Sequence, residues 1–289
     1  MTQSTNDKPM RGKTVLLTGG SSGIGLATAV ELARQGAELI IVCRSSQRGE
    51  DTVRAVKAAS GAQSVDFLVG DLAKLDDVRR VAADFVASSR PLHVLINNAG
   101  VVNLSFKRTA DGIEEVFAVN HLAPFLLTNL LLDRLGKSDA ARIVNVASDA
   151  HKFVRGMNFD DLGFEKGYGW VKSYGQSKLA NILFTRELAG RLSGTPVTAN
   201  CLHPGAVATS LGKNNGWFAG TLIGLLRPFF KTPEQGARTS VFLATSPEVE
   251  GVSGKYFSNC RESRPSGAAL DDAAARRLWD VSCAMTRLS

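Results

Sequence analysis

Tyr174 and Lys178 stand four residues apart in the stretch YGQSK, where residue type and spacing first suggest chemistry. On a helix, positions i and i+4 share a face, so a phenol and an ammonium group would stand side by side. A phenol with a pKa near ~10 is mostly protonated at neutral pH, and a nearby cation favours the phenolate. Such a pair can exchange a proton with a carbonyl or alcohol oxygen. The spacing alone arises by chance on many helices. Ser148, in VASD, offers a hydroxyl that could hold the same oxygen.

The weight comes from upstream. Thr18-Gly19-x-x-x-Gly23-x-Gly25 follows the apolar run TVLL (14–17) and opens a helical pattern in which Leu26, Val30 and Ala33 recur before Gly36. Gly19 permits a tight turn, Gly23 lets backbone approach a pyrophosphate, and Gly25 lets helix and strand pack closely. The helix N-terminus then aims unpaired N–H groups and a positive dipole end at phosphate. A Walker loop is excluded, because Leu26-Ala27 stand where Lys-Ser/Thr would be needed. At the end of the next apolar run, LIIVC, comes Arg44 followed by Ser45 and Ser46, with no acidic residue. An acid there would take the ribose 2′-hydroxyl of NAD. An arginine can clamp a 2′-phosphate through charge-assisted hydrogen bonds, or simply be solvated. The missing acid favours NADP(H).

The elements that must position these residues read as alternating strands and helices. Apolar, β-rich runs fall at 14–17, 38–43, 65–69, 93–97, 142–147 and 197–202, with helical patterns between them. Near-continuous apolar strands suit a parallel sheet covered on both faces, and the alternation implies βαβ units in a doubly wound sheet. NNAG, containing Asn97, Asn98, Ala99 and Gly100, closes the fourth strand, and Ser148 closes the fifth. Both lie at strand ends, where an open α/β sheet binds its ligand. No linker or composition shift divides the chain, so one domain over 13–289 is expected after a flexible lead at 1–12. Residues 205–233 break the rhythm, with Trp217, Phe218, Phe229 and Phe230 among glycines and prolines. This segment is a packed surface helix, a lid over an apolar substrate, or a patch that touches a membrane surface.

Composition excludes several classes. With 44% hydrophobic and 21% charged residues the chain is expected to be globular and able to bury a core. The net charge of +7 fits a basic surface, or a field attracting a phosphorylated ligand or an acidic membrane. No Lys/Arg run and no interleaved aromatics support nucleic-acid binding. Cys43, Cys201, Cys260 and Cys283 are scattered, and His93, His121, His151 and His203 lack metal spacing, so no metal site is expected. Ser148, Asp149 and His151 are too close in the chain to form a hydrolase triad, and no G-x-S-x-G elbow occurs. No apolar run approaches the ~20 residues of a membrane-spanning helix, and residues 1–13 are polar, so a cytoplasmic location is expected.

Taken together, TGGSSGIG, Asp71-Leu72, NNAG, Asn120, Ser148, YGQSK and HPGAVAT at 203–209 resemble the short-chain dehydrogenase/reductase family over roughly Lys13 to Phe257. The resemblance implies a single-domain, Rossmann-like doubly wound parallel sheet with helices on both faces, moving hydride to or from a nicotinamide cofactor. Within it, Tyr174 is the general acid/base, Lys178 lowers its pKa and binds the nicotinamide ribose, and Ser148 holds the substrate oxygen. Asn120 orders a proton-relay water. Gly19, Ser21, Ser22, Gly23, Ile24 and Gly25 hold the pyrophosphate. Asp71 and Leu72 flank the adenine, Asn98, Ala99 and Gly100 back the cofactor, and Pro204, Gly205, Val207 and Thr209 meet the nicotinamide amide.

VCR, VASDAHK, SKLANILFTRELAGRL, KTPEQGARTS, GKYFSNCRES and RRLWDVSC resemble the retinol dehydrogenase-like branch, which commonly reduces apolar aldehydes or ketones with NADPH. Membrane-attached relatives carry an apolar N-terminal anchor that is not read here, and Ala147 stands where many have a second serine. Family habit implies a homo-oligomer. The expected activity is NADP(H)-dependent interconversion of a hydrophobic aldehyde or ketone and its alcohol. The alternatives are a non-catalytic NADP(H) sensor or scaffold and a reductase of a polar carbonyl compound.

Overall fold

A computed structural model describes residues 8–207 and 231–288. Most of the expected lid at 205–233, including Thr209, therefore lies outside the described residues. Runs of Val, Ile and Leu fold as strands because their branched side chains pack well on a pleated surface covered from both sides. The strands are β1 (Thr14–Thr18), β2 (Glu38–Cys43), β3 (Val65–Val69) and β4 (Val94–Asn97), then β5 (Ala141–Val146), β6 (Val197–His203), β7 (Tyr256–Ser258) and β8 (Arg261–Glu262). They form one sheet in the order β3-β2-β1-β4-β5-β6-β7-β8, parallel throughout except for the antiparallel β8.

Successive side chains point to opposite faces, and the two cores follow from that alternation. Leu16, Ile40, Leu95 and Ile143 pack against α3 (Leu75–Ala87), α4 (Glu115–Leu135) and α5 (Trp170–Arg191). Val15, Leu17, Leu39, Ile41, Ile96 and Val144 face the other way, against α1 (Gly23–Arg34), α2 (Ser46–Ser60) and α6 (Pro233–Thr245). The last helix, α7 (Asp272–Thr286), lies along α5. The doubly wound sheet expected from sequence is what the chain adopts. Strand order reverses between β1 and β4, which opens a crevice at their carboxyl ends.

Three readings need correction. Within the lead expected to be loose, Met10 is buried, and its N–H bonds the Gln35 carbonyl at 3.0 Å. Strands β7 and β8, not read as such, extend the sheet beyond β6. Finally, α4 is a 21-residue helix apolar enough by length and composition to cross a membrane. Its apolar residues, Leu126, Leu127 and Leu131 among them, are buried against the sheet and α3, so packing inside the protein accounts for its composition.

Candidate active site

A cavity of about 580 Å³ opens along the carboxyl ends of β1 to β4. Its floor is the loop between β1 and α1, whose glycines are sterically required. Gly19 has φ +69°, and a Cβ there would lie 2.7 Å from the Ala99 Cα. A Cβ on Gly25 would sit 2.0 Å from the Gly19 carbonyl oxygen. The loop is pinned to the NNAG strand end by reciprocal bonds. The Asn98 amide donates to the Thr18 and Gly19 carbonyls at 3.0 Å each. The Thr18 hydroxyl oxygen accepts from the Asn98 and Ala99 N–H groups at 3.1 Å. Gly19, Ser21, Ser22, Gly23, Ile24, Gly25, Arg44, Asp71, Leu72, Asn98, Ala99, Gly100, Tyr174 and Lys178 all line the cavity. A side-chain-free cradle at the start of a twelve-residue helix fits a pyrophosphate, with N–H groups and the helix dipole directed at it.

At the β2 side the lining includes a residue that sequence reading missed, Arg48, one helical turn beyond Arg44. The Ser45 hydroxyl oxygen caps α2 by accepting the Arg48 N–H at 3.4 Å, so the two arginines bracket one capping turn. Among the described residues neither pairs with a carboxylate. Their spacing of four on a helix start is the signal that could have found Arg48. Asp71 is held by its neighbour, its N–H donating to the Asp77 carboxylate at 2.8 Å. That bond and the Arg80 guanidinium keep the Asp77 carboxyl below its ordinary pKa.

At the other side stand Tyr174 and Lys178 on α5. Ser148, in extended backbone just past β5, caps a 3₁₀ turn at Asp149–Phe153 by accepting the Ala150 N–H at 3.1 Å. Its side chain also stands near the Tyr174 phenol. Lys178 is buried beside Gly100, and its Nζ donates to the Val146 carbonyl at 2.9 Å. Burial pushes the Tyr174 phenol up to about 12, with the nearby Ser148 hydroxyl working against it. Burial likewise pulls the Lys178 ammonium down to about 8. The lowered phenol expected from the pair's spacing is thus reversed in the protein alone. Lys178 Nζ lies 5.6 Å from the Tyr174 ring centre and is turned toward the strand.

Asn120 is fully buried in a π-helical turn (Ala118–Leu122) within α4. Its amide donates to the Val101 carbonyl and the Ser177 hydroxyl at 3.0 Å, and its Oδ1 accepts the Val101 N–H at 2.7 Å. Both side-chain donors are thus spent on holding NNAG and α5 to α4. Asn120 and Ser148 are not among the residues lining the cavity. Pro204, Gly205 and Val207 lie past β6, apart from the lining, with Val207 bridged to Lys231. Other lining residues not read from sequence include Asp51, Thr52, Glu115 and Val119. Among the described residues no cluster of metal-ligating side chains occurs.

Comparison with known proteins matches this arrangement. The family model for short chain dehydrogenases covers residues 13–217. Human retinol dehydrogenase 14 is 48% identical over 295 residues, spanning 96% of this chain and 88% of that protein. The crystal structure of an uncharacterised protein from Mycobacterium paratuberculosis superimposes with a TM-score of 0.76 at 35% identity, covering 96% of this chain and 94% of the other. The Pseudomonas aeruginosa RhlG/NADP active-site complex does so with a TM-score of 0.70 at 25% identity, covering 92% of this chain and all of RhlG. Cradle, strand-end residues and matching relatives agree along most of the molecule, and the chain belongs to the short-chain dehydrogenase family of oxidoreductases, in its retinol dehydrogenase-like branch.

Proposed function

We propose that this oxidoreductase interconverts an apolar aldehyde or ketone and its alcohol, using NADP(H) and Tyr174 as the proton donor and acceptor. The observation that carries this reading is Tyr174 and buried Lys178 on one helix face, lining the same cavity as the glycine loop, with Ser148 near the phenol. The glycine loop from Gly19 to Gly25 holds the pyrophosphate, Asp71 and Leu72 flank the adenine, and Asn98 to Gly100 form the back wall. Arg44 and Arg48 hold the 2′-phosphate, a reading supported by their shared place on the cavity wall without carboxylate partners among the described residues. Pro204, Gly205, Val207 and Thr209 meet the carboxamide.

When bound, the nicotinamide supplies the hydride for reduction and accepts it for oxidation. The Ser148 hydroxyl donates to the substrate oxygen and fixes its place. The Tyr174 hydroxyl gives that oxygen its proton as the carbonyl carbon is reduced. Protonated Lys178 steadies the phenolate that forms. The π turn around Asn120 keeps NNAG and α5 in register. With the Asn120 side chain spent, its main chain is the part assigned to ordering a relay water.

An apolar substrate is supported by two exposed aromatic residues, Phe153 at the end of the Ser148 turn and Trp170 one helical turn before Tyr174. It is also supported by a relative named retinol dehydrogenase. The test is NADPH-dependent reduction of decanal and all-trans-retinal, with the alcohols measured as products. Tyr174→Phe should lower kcat by about 10²–10⁴-fold. Its NADPH affinity should stay near wild type. Retained turnover would remove Tyr174 from the proton step.

A further inference from the structure

The proposed chemistry leaves one buried titratable group unused behind the Ser148 turn. His151 has no exposed surface, and its two ring nitrogens have partners of opposite kind. Its Nε2 lies 3.0 Å from the Ser266 backbone nitrogen, which can only donate. Nε2 must therefore present a lone pair. Its Nδ1 lies 2.6 Å from the Ser148 carbonyl oxygen, which can only accept. A neutral ring with its proton on Nδ1 satisfies both contacts, and no other protonation state does. Burial keeps the imidazole below its ordinary pKa, consistent with a neutral ring. The ring stands edge-on to Tyr256 at 5.3 Å, and the Tyr256 hydroxyl donates to Asp149 at 2.8 Å. Lys152 pairs with Asp149 at 2.8 Å, and His203 Nδ1 accepts the Asp149 N–H at 3.2 Å.

We propose that His151 is a positioning residue for the reaction, a single-tautomer clasp that fixes the Ser148 main chain and so aims its hydroxyl at Tyr174. The proposal rests on the reading of Ser148 given above. The Ser148 carbonyl already accepts the His151 N–H at 3.1 Å, so the ring adds a second anchor on the same oxygen. The Ser266 amide sets the tautomer, because its N–H excludes a proton from Nε2. The C-terminal segment thereby reaches the reacting serine through one ring. This explains why a histidine without metal spacing sits between the Ser148 turn and Ser266.

The test uses the full-length enzyme with NADPH and decanal. His151→Leu removes both ring contacts at similar size and should lower kcat by about tenfold or more, which corresponds to one lost hydrogen bond. Its Kd for NADPH should change by less than about threefold. His151→Asn places an amide donor where Nδ1–H stood and should recover most of the lost kcat. Ser266→Pro is the second variant, since Ser266 has φ −63°, which a proline ring adopts. It deletes the N–H that sets the tautomer and leaves the ring in place. It should lower kcat in the same direction, and it keeps the test decisive if His151→Leu does not fold.

Wild-type kcat in His151→Leu or Ser266→Pro, alongside an impaired Ser148→Ala, would overturn the His151 role alone. Equal loss in His151→Leu and His151→Asn, tracking a fall in Tm, would show mere packing and also overturn it. Full activity in Ser148→Ala would overturn the reading of the site, and this proposal with it.

Discussion

At single residues, burial sets the protonation of the two groups proposed to move and steady the proton. Lys178 is 3% exposed and its ammonium is pulled down to about 8, while the Tyr174 phenol is pushed up to about 12. The pH dependence of kcat/KM reports ionisations of the free enzyme. Below about pH 8 Lys178 is charged and can steady the phenolate left after proton transfer. As pH rises through that value the charge is lost, so reductive kcat/KM should fall on the alkaline side. A pH profile with NADPH checks this, and Lys178→Arg, whose guanidinium stays charged, should flatten that limb. A profile without inflection between pH 7 and 9 would refute the assignment. That Tyr174 and Lys178 share one face of a helix was legible from sequence, because their spacing of four matches the helical period. Their ionisation was not, since desolvation depends on which distant segments cover them.

Elements bring those residues into one crevice. The turn from β2 into α2 illustrates how: Arg44 ends the strand, Ser45 caps the helix, and Arg48 closes the first turn on the same cavity wall. A charge-assisted contact contributes about 1.5–3 kcal/mol, roughly ten- to hundredfold in affinity. Arg44→Asp should therefore reduce the preference for NADPH over NADH by about that factor, and Arg44→Asp with Arg48→Asp should invert it. Ratios of kcat/KM for the two cofactors measure this, and an unchanged ratio in the double variant would defeat the 2′-phosphate reading. Strands β1 to β6 were legible as apolar runs bounded by helical patterns. The three-residue β7 and two-residue β8 were not, being too short to show a period. The π turn at Asn120 was hidden inside a stretch that reads as ordinary helix.

The whole molecule is tied together at its C-terminal end. Trp279 of α7 meets Phe125 of α4 edge-on at 5.0 Å and Phe184 of α5 at 6.0 Å, with the Arg191 guanidinium 4.1 Å from its ring centre. Beside it, His121 of the π turn bonds Ser282 of α7 at 2.8 Å. The last helix thus braces both helices that carry Asn120, Tyr174 and Lys178. Trp279→Ala should cost about 3–5 kcal/mol, a fall in Tm on the order of 5–10 °C. Thermal unfolding tests this, and a Tm within 1–2 °C of wild type would show that α7 is dispensable to the core.

By itself the sequence determined the alternation of strands and helices, the glycine loop that opens α1, and the i, i+4 placing of Tyr174 and Lys178 on one helix. These rest on residue type and spacing within short segments, which chain order expresses directly. Only the tertiary structure decided that Ser148 stands near the Tyr174 phenol, that Lys178 turns to Val146, and that Arg48 joins Arg44. It also decided that His151 lies between Ser148 and Ser266. Each of those depends on packing between elements that end at the same edge of the sheet, and on the loss of water that packing imposes.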